Sequence, residues 1–145
     1  MANRAYLQLA KEFLETCSKT PKTFMKPLGT ARPLIIESGR VVVEFEVTQE
    51  MANPRGTLHG GCLTALVDVS TTMAGVALRG ATGMSTNMHV NFISPVKVGE
   101  TVRMDSVITK SGKTLAYARS DLFLKEGNKP VATALHTLIY PNNNR

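Results

Sequence analysis

The stretch from Gly60 to Leu78 is almost wholly apolar and carries a single charge, Asp68. A run of that length forms either a membrane span or a helix enclosed by a soluble fold. Four Ser/Thr residues, three glycines and Asp68 itself favour the enclosed helix, because charge is expensive in lipid. An isolated carboxylate on such a helix costs several kcal/mol unless it is solvated, partnered or put to chemical use. Asp68 is therefore the first candidate functional residue, and His59-Gly60-Gly61 opens the helix that carries it.

The remaining chain reads as the enclosure. Leu34-Ile35-Ile36 and Val41 to Val47, separated by Ser38-Gly39, form a hairpin pattern, with Glu44 and Glu46 alternating against the valines. Four further strand-like runs follow the helix: Met84 to Ile93, Thr101 to Thr109, Thr114 to Leu124 and Val131 to Tyr140. Short turn segments join them, which favours antiparallel neighbours. Ala116, Ala118 and Ser120 alternate on one strand, and Ala132 and Ala134 on another, so both present a face of small side chains against which a helix can lie. The pattern predicts an α+β fold, a curved six-stranded antiparallel sheet wrapped around a central helix at 60–78. An extra amphipathic helix within residues 1–20, carrying Tyr6, Leu9, Ala10, Phe13 and Cys17 at helical spacing, caps a groove or sheet edge.

A chain of 145 residues, 43% hydrophobic and 19% charged, suits one domain over residues 1–145. The net charge of +6 favours an anionic partner. The basic residues are scattered, without a Lys/Arg run or an aromatic ribonucleoprotein motif, so no nucleic acid is expected; a small polyphosphate ligand fits the charge, as does a solvated basic surface. Arg4, Lys11, Glu12, Glu15 and Lys19 interrupt any apolar signal segment, which argues for a cytoplasmic protein. Glu12 and Glu15 also count against a mitochondrial presequence without excluding one. Cys17 and Cys62 read as free thiols, and the Cys and His spacings match no metal site.

The segment Asn53-Pro54-Arg55-Gly56-Thr57-Leu58-His59-Gly60-Gly61, followed by Ala65-Leu66-Val67-Asp68, resembles the hotdog-fold acyl-coenzyme A thioesterases. Within them it is similar to the 4-hydroxybenzoyl-CoA thioesterases and eukaryotic thioesterase-superfamily members that use a carboxylate on the central helix. The similarity continues through Ser85, Ile93-Ser94-Pro95-Val96, Gly99-Glu100 and Gly112-Lys113-Thr114-Leu115, covering roughly residues 30 to 139. The resemblance implies acyl-CoA hydrolysis in lipid metabolism, with no metal or organic cofactor beyond the coenzyme A of the substrate. It also implies homodimers that pair into homotetramers. By the same resemblance Ser85 helps to place the water, and His59 orients the Asn53 amide or shapes the pocket.

The chemistry also follows from the residues. A helix N-terminus presents unpaired N–H groups with positive dipole character, and glycines let a substrate approach them. Gly60 N–H is placed to polarise a thioester carbonyl as it gathers negative charge, Gly61 opens the approach, and Asn53 offers a second donor. Asp68, eight residues beyond Gly60, lies about 12 Å further along the axis. A short Asp side chain does not cross that gap, so the two meet on one thioester only if antiparallel helices of a homodimer supply one each. Asp68 then acts either as general base on water or as nucleophile forming a mixed anhydride.

Lys110 and Lys113, flanking Ser111-Gly112, are candidates for the coenzyme A phosphates, with Arg79 and Lys97 behind them. The acyl group is expected along the helix near Met73 and Val69. A Cys-His reading of Cys62 with His59 is set aside, since no nucleophile elbow surrounds it. A hydratase on acyl thioesters would need a His paired with the helix acid, and no such pairing shows in the sequence spacing. His136 reads as a strand residue with a structural partner. The competing class is a non-catalytic module that binds acyl-CoA.

Overall fold

The computed structural model describes residues 3–19 and 23–141. Helix α1 spans Arg4–Lys19, and strands β1 (Arg32–Glu37) and β2 (Arg40–Glu46) form a hairpin about Ser38-Gly39. Helix α2 spans Gly60–Arg79 and is followed by β3 (Met84–Phe92), β4 (Thr101–Ser111), β5 (Leu115–Leu124) and β6 (Pro130–Ile139). The expected N-terminal helix holds over the described part of residues 1–20, whereas positions 1, 2 and 20 lie outside the described residues.

All six strands form one antiparallel sheet in the order β1-β2-β4-β5-β6-β3, which places β3 at an edge. The sheet curls round α2. Ala116, Ala118, Ser120, Ala132 and Ala134 are all buried, as the alternation of small residues predicted. Leu66, Val67, Met73 and Ala74 fill the concavity with Phe45, Met104 and Leu122. A hydroxyl ladder runs through this core: Ser70 Oγ donates to Ser106 Oγ (2.8 Å), which bonds to Ser120 Oγ (2.9 Å). It ties α2 to β4 and β5 at one register, since a slipped strand would leave buried hydroxyls unpaired.

Helix α2 ends where two demands for glycine coincide. Gly80 adopts φ +70° to close the helix, its N–H donating to Val76 O, and the Tyr6 ring of α1 stands where a Cβ would be. The same close approach docks α1 on α2, with Ala10 buried against Val76 and Ala77.

Glu44 departs from the expected polar outer face. Its side chain is only 5% exposed, beneath Arg103 (2.8 Å), Lys125 (3.0 Å) and Arg32 (3.2 Å). Hydrogen bonds from Arg103, then Lys125, hold its carboxyl down at about 2, below its ordinary value of 4.5. A carboxylate so shifted contributes stability that is complete above its unfolded value and fades as pH falls through the folded one. Thermal melts should therefore show Glu44→Gln lowering the midpoint by about 5 °C or more at neutral pH, a difference that shrinks between pH 4.5 and 2. A gap that persists unchanged at pH 2 would contradict the assignment.

Candidate functional site

The helix entry is built from the chain before it. Asn53 folds the 53–57 loop on itself, its Oδ1 accepting from Arg55 N–H (2.9 Å) and its Nδ2 donating to Thr57 Oγ1 (2.9 Å). Leu58 N–H donates to Val96 O and His59 N–H to Met51 O, which fixes the approach of the chain to α2. His59 is the N-cap, and its Nδ1 accepts from Gly61 N–H at 2.9 Å. His59 holds the helix start and lines the groove beside it, while the exposed Gly61 gives its amide to that cap under the His59 ring.

Gly60 N–H has no acceptor among the described hydrogen bonds, so the positive end of α2 keeps a free donor where the sequence placed one. The ring of Phe92 lies 3.3 Å from where a Gly60 Cβ would stand. A side chain there would crowd both that ring and anything approaching the amide.

Two turns along, Asp68 lies on the one stripe of α2 that the sheet leaves uncovered, and its side chain is 46% exposed. The carboxylate is therefore solvated as well as partnered, not the isolated buried charge that the apolar run suggests. Ser85 Oγ donates to Asp68 Oδ1 at 2.8 Å, which brings the two predicted residues together.

Plain alternation puts Ser85 on one face with Asn87, His89 and Asn91, and the structure corrects this. Ser85 pairs with Leu138 and Asn87 with Thr137, so Thr86 is an extra residue in the ladder. This β-bulge turns Ser85 toward α2 while Asn87, His89 and Asn91 face outward.

A second neighbour of Asp68 escaped the sequence reading. His136 on β6, whose side chain is fully buried, points Nε2 at Asp68 Oδ1 from 3.6 Å. Its Nδ1 lies 2.6 Å from Thr71 Oγ1 on α2. A His paired with the helix acid is thus present, contrary to expectation, supplied from the far end of the chain. Its signal was available: His136 continues the inward alternation of Ala132 and Ala134.

Other candidates are placed as follows. Arg79 is engaged within the chain, donating to Ser111 Oγ (2.9 Å), Gly112 O (2.7 Å) and Lys113 O (2.9 Å) with its guanidinium 4.0 Å over the Tyr140 ring. It braces the β4–β5 turn on which Lys110 and Lys113 stand exposed, instead of offering a free cation itself. Met73 and Val69, where the acyl group was expected, are buried among core residues. A groove of about 960 Å³ opens instead beside the helix start, lined by Phe24, Pro27, Met51, Ala52, Cys62 and Ala65, with His59 and Gly61 at its wall. Burial raises the Cys62 pKa, which favours the protonated thiol. Among the described residues no group of His, Cys, Asp and Glu is arranged to hold a metal ion.

A long helix wrapped by a six-stranded antiparallel sheet is the hotdog architecture. Residues 55–131 match the Thioesterase superfamily. Human acyl-coenzyme A thioesterase 13 is 37% identical over 131 residues, covering 90% of this chain and 93% of that one. The solved structure of zebra fish thioesterase superfamily member 2 superposes with a TM-score of 0.87 at 34% identity, over 93% of this chain and 98% of that one. A hypothetical thioesterase from Streptococcus pneumoniae, solved with coenzyme A, shares the fold with a TM-score of 0.73 at 22% identity, over 77% and 85% of the two chains. The chain belongs to the thioesterase superfamily.

The hydrogen bond from Ser85 to Asp68 is exposed, so its loss costs the fold little. Ser85→Ala should lower kcat about tenfold or more while leaving the melting temperature near wild type. Steady-state kinetics beside a thermal melt checks this, and an unchanged kcat would remove Ser85 from the site.

Proposed function

We propose that the protein hydrolyses acyl-coenzyme A to a free acid and coenzyme A, at sites shared between the subunits of a homodimer. The observation that carries this reading is the division of one helix into a free amide donor at Gly60 and a Ser85-bound carboxylate at Asp68. The amide stabilises the negative charge that develops on the thioester oxygen. The carboxylate takes the proton of an attacking water that Ser85 helps to hold, or attacks the carbonyl itself.

Because the two groups stand about 12 Å apart along α2, each site takes Gly60 from one subunit and Asp68 from the other. The edge strand β3 supports this assembly. Its outer backbone groups have no partner strand among the described residues, and Met84, Phe92 and Ile93 are exposed along it. Antiparallel pairing of two such edges sets two α2 helices side by side. Pairing of dimers into a tetramer completes the proposed assembly, and the protein works in the cytoplasm without metal or organic cofactor.

The groove beside the helix start receives the acyl group, since His59 and Gly61 at its wall adjoin the Gly60 donor. Asn53, with one Nδ2 hydrogen not used by Thr57, is the second donor to the carbonyl. Lys110 and Lys113 attract the phosphates of coenzyme A from the turn that Arg79 braces.

Thiol release across short, medium, long and aromatic acyl-CoAs tests the reading directly. Wild type should show saturable hydrolysis, and Asp68→Asn should lower kcat by about 100-fold or more without loss of fold. A folded wild type that binds acyl-CoA yet hydrolyses none would make it a binding module.

Mixing subunits tests the shared site. Gly60→Val and Asp68→Asn, each inactive alone, should regain about a quarter of wild-type turnover when co-assembled, because half the dimers then hold one intact site. No recovery would place both groups in one subunit. Lys110→Ala and Lys113→Ala should raise KM severalfold at unchanged kcat, with the difference shrinking in high salt.

A further inference from the structure

We infer that His136 and Asp68 work as one coupled base, His136 positioning the carboxylate and sharing the proton that Asp68 takes from water. The inference rests on the hydrolysis proposed above and deepens it.

Thr71 Oγ1 lies 2.7 Å from Val67 O and 3.0 Å from Asp68 O, two carbonyl oxygens that only accept. With that hydrogen on a carbonyl, the hydroxyl meets His136 Nδ1 at 2.6 Å as an acceptor and Nδ1 carries the imidazole proton, which is the tautomer a proton-sharing pair requires. In a neutral imidazole Nε2 is left as a bare lone pair, and it is buried with no hydrogen-bond partner.

What it faces is another acceptor, Asp68 Oδ1 at 3.6 Å. In that tautomer the pair lacks one proton that would satisfy both atoms, whichever of them holds it. The charged group facing His136 is Asp68. Thr71 on α2 and the sheet neighbours Met88 on β3 and Ala118 on β5 carry no charge. Burial lowers the affinity of His136 for a second proton, and the Asp68 charge works against that more weakly. The resting imidazole is thus neutral, and in the Nδ1–H tautomer the vacancy stands.

Hydrolysis fills it. As a water O–H bond breaks, its electron pair forms the bond to the thioester carbon and its proton passes to the Asp68–His136 pair. Collapse of the tetrahedral intermediate breaks the C–S bond, and the proton leaves with the coenzyme A thiolate as the thiol. His136 touches no reacting atom; it steadies Asp68 opposite Ser85 and raises its proton affinity when water must be deprotonated.

Two variants and one spectrum test this. His136→Gln keeps bulk and polarity but does not titrate, and His136→Leu removes the acceptor. Both should lower kcat about tenfold at unchanged KM and move the acid limb of kcat/KM to lower pH. A merely structural His136 would alter melting temperature and leave the limb in place, and that result would overturn the inference.

Nitrogen-15 spectra of the imidazoles give an answer independent of turnover. Wild type should show His136 protonated on Nδ1 and bare on Nε2, and Asp68→Asn should lower the pH at which Nε2 gains its proton. A protonated Nε2 at rest, or a midpoint indifferent to Asp68→Asn, would also overturn it. A wild type inert on every acyl-CoA would sink the hydrolysis instead, with the pairing still decided by the spectra.

Discussion

The structure depends on one compromise, enclosing an apolar helix in a single sheet while leaving one of its stripes open. Residues along a helix advance about 100° each, so Gly61, Thr64, Ala65, Asp68 and Thr72 fall on neighbouring bearings. These are the positions of the central α2 that the sheet does not bury, whereas Leu63, Leu66, Val67, Ser70, Met73 and Ala74 are covered. The small residues of β5 and β6 let the helix sit deep, and the serine ladder fixes its depth and register. The polar groups of the site therefore belong to the only stripe where solvation offsets their desolvation cost.

Much of this was legible because the sequence patterns are strong. Alternation of two marks the strands, the apolar run marks α2, and the glycines before it mark an approachable helix start. What escaped was local irregularity and long-range pairing. The bulge at Thr86 leaves no signature in Met84-Ser85-Thr86-Asn87, yet it decides which face Ser85 occupies. Glu44 reads as an outer-face acid until three cations from β1, β4 and the turn after β5 close over it. Arg79 reads as a free cation until the β4–β5 turn is seen folded against it. Each of these depends on partners remote in the chain, which no spacing rule reaches.

His59 and His136 show the same limit from opposite directions. Proximity in sequence drew attention to His59, which lies beside the Gly60 donor and serves as a cap through Gly61. His136 looked like an unremarkable strand residue, though inward alternation from Ala132 aims it at the middle of α2. The bearing of a strand residue is readable from sequence, but what it meets depends on which helical turn lies opposite. That turn is set by sheet order, and β6 adjoins β3 only because β3 crosses to the far edge of the sheet.

In the proposed dimer that edge joins assembly to chemistry. Proteins usually blunt an open edge with lysine or proline, and Met84-Ser85-Thr86-Asn87-Met88-His89-Val90-Asn91-Phe92 contains neither. It carries instead exposed Met84 and Phe92, and the inward-turned Ser85 that holds Asp68. In the proposed dimer the same strand protects its edge by pairing, stiffens the support of the carboxylate and brings the partner's Gly60 within reach of a shared thioester. Subunit affinity and turnover then draw on one set of contacts, so a change that loosens the β3 edge weakens catalysis even where no reacting group is touched.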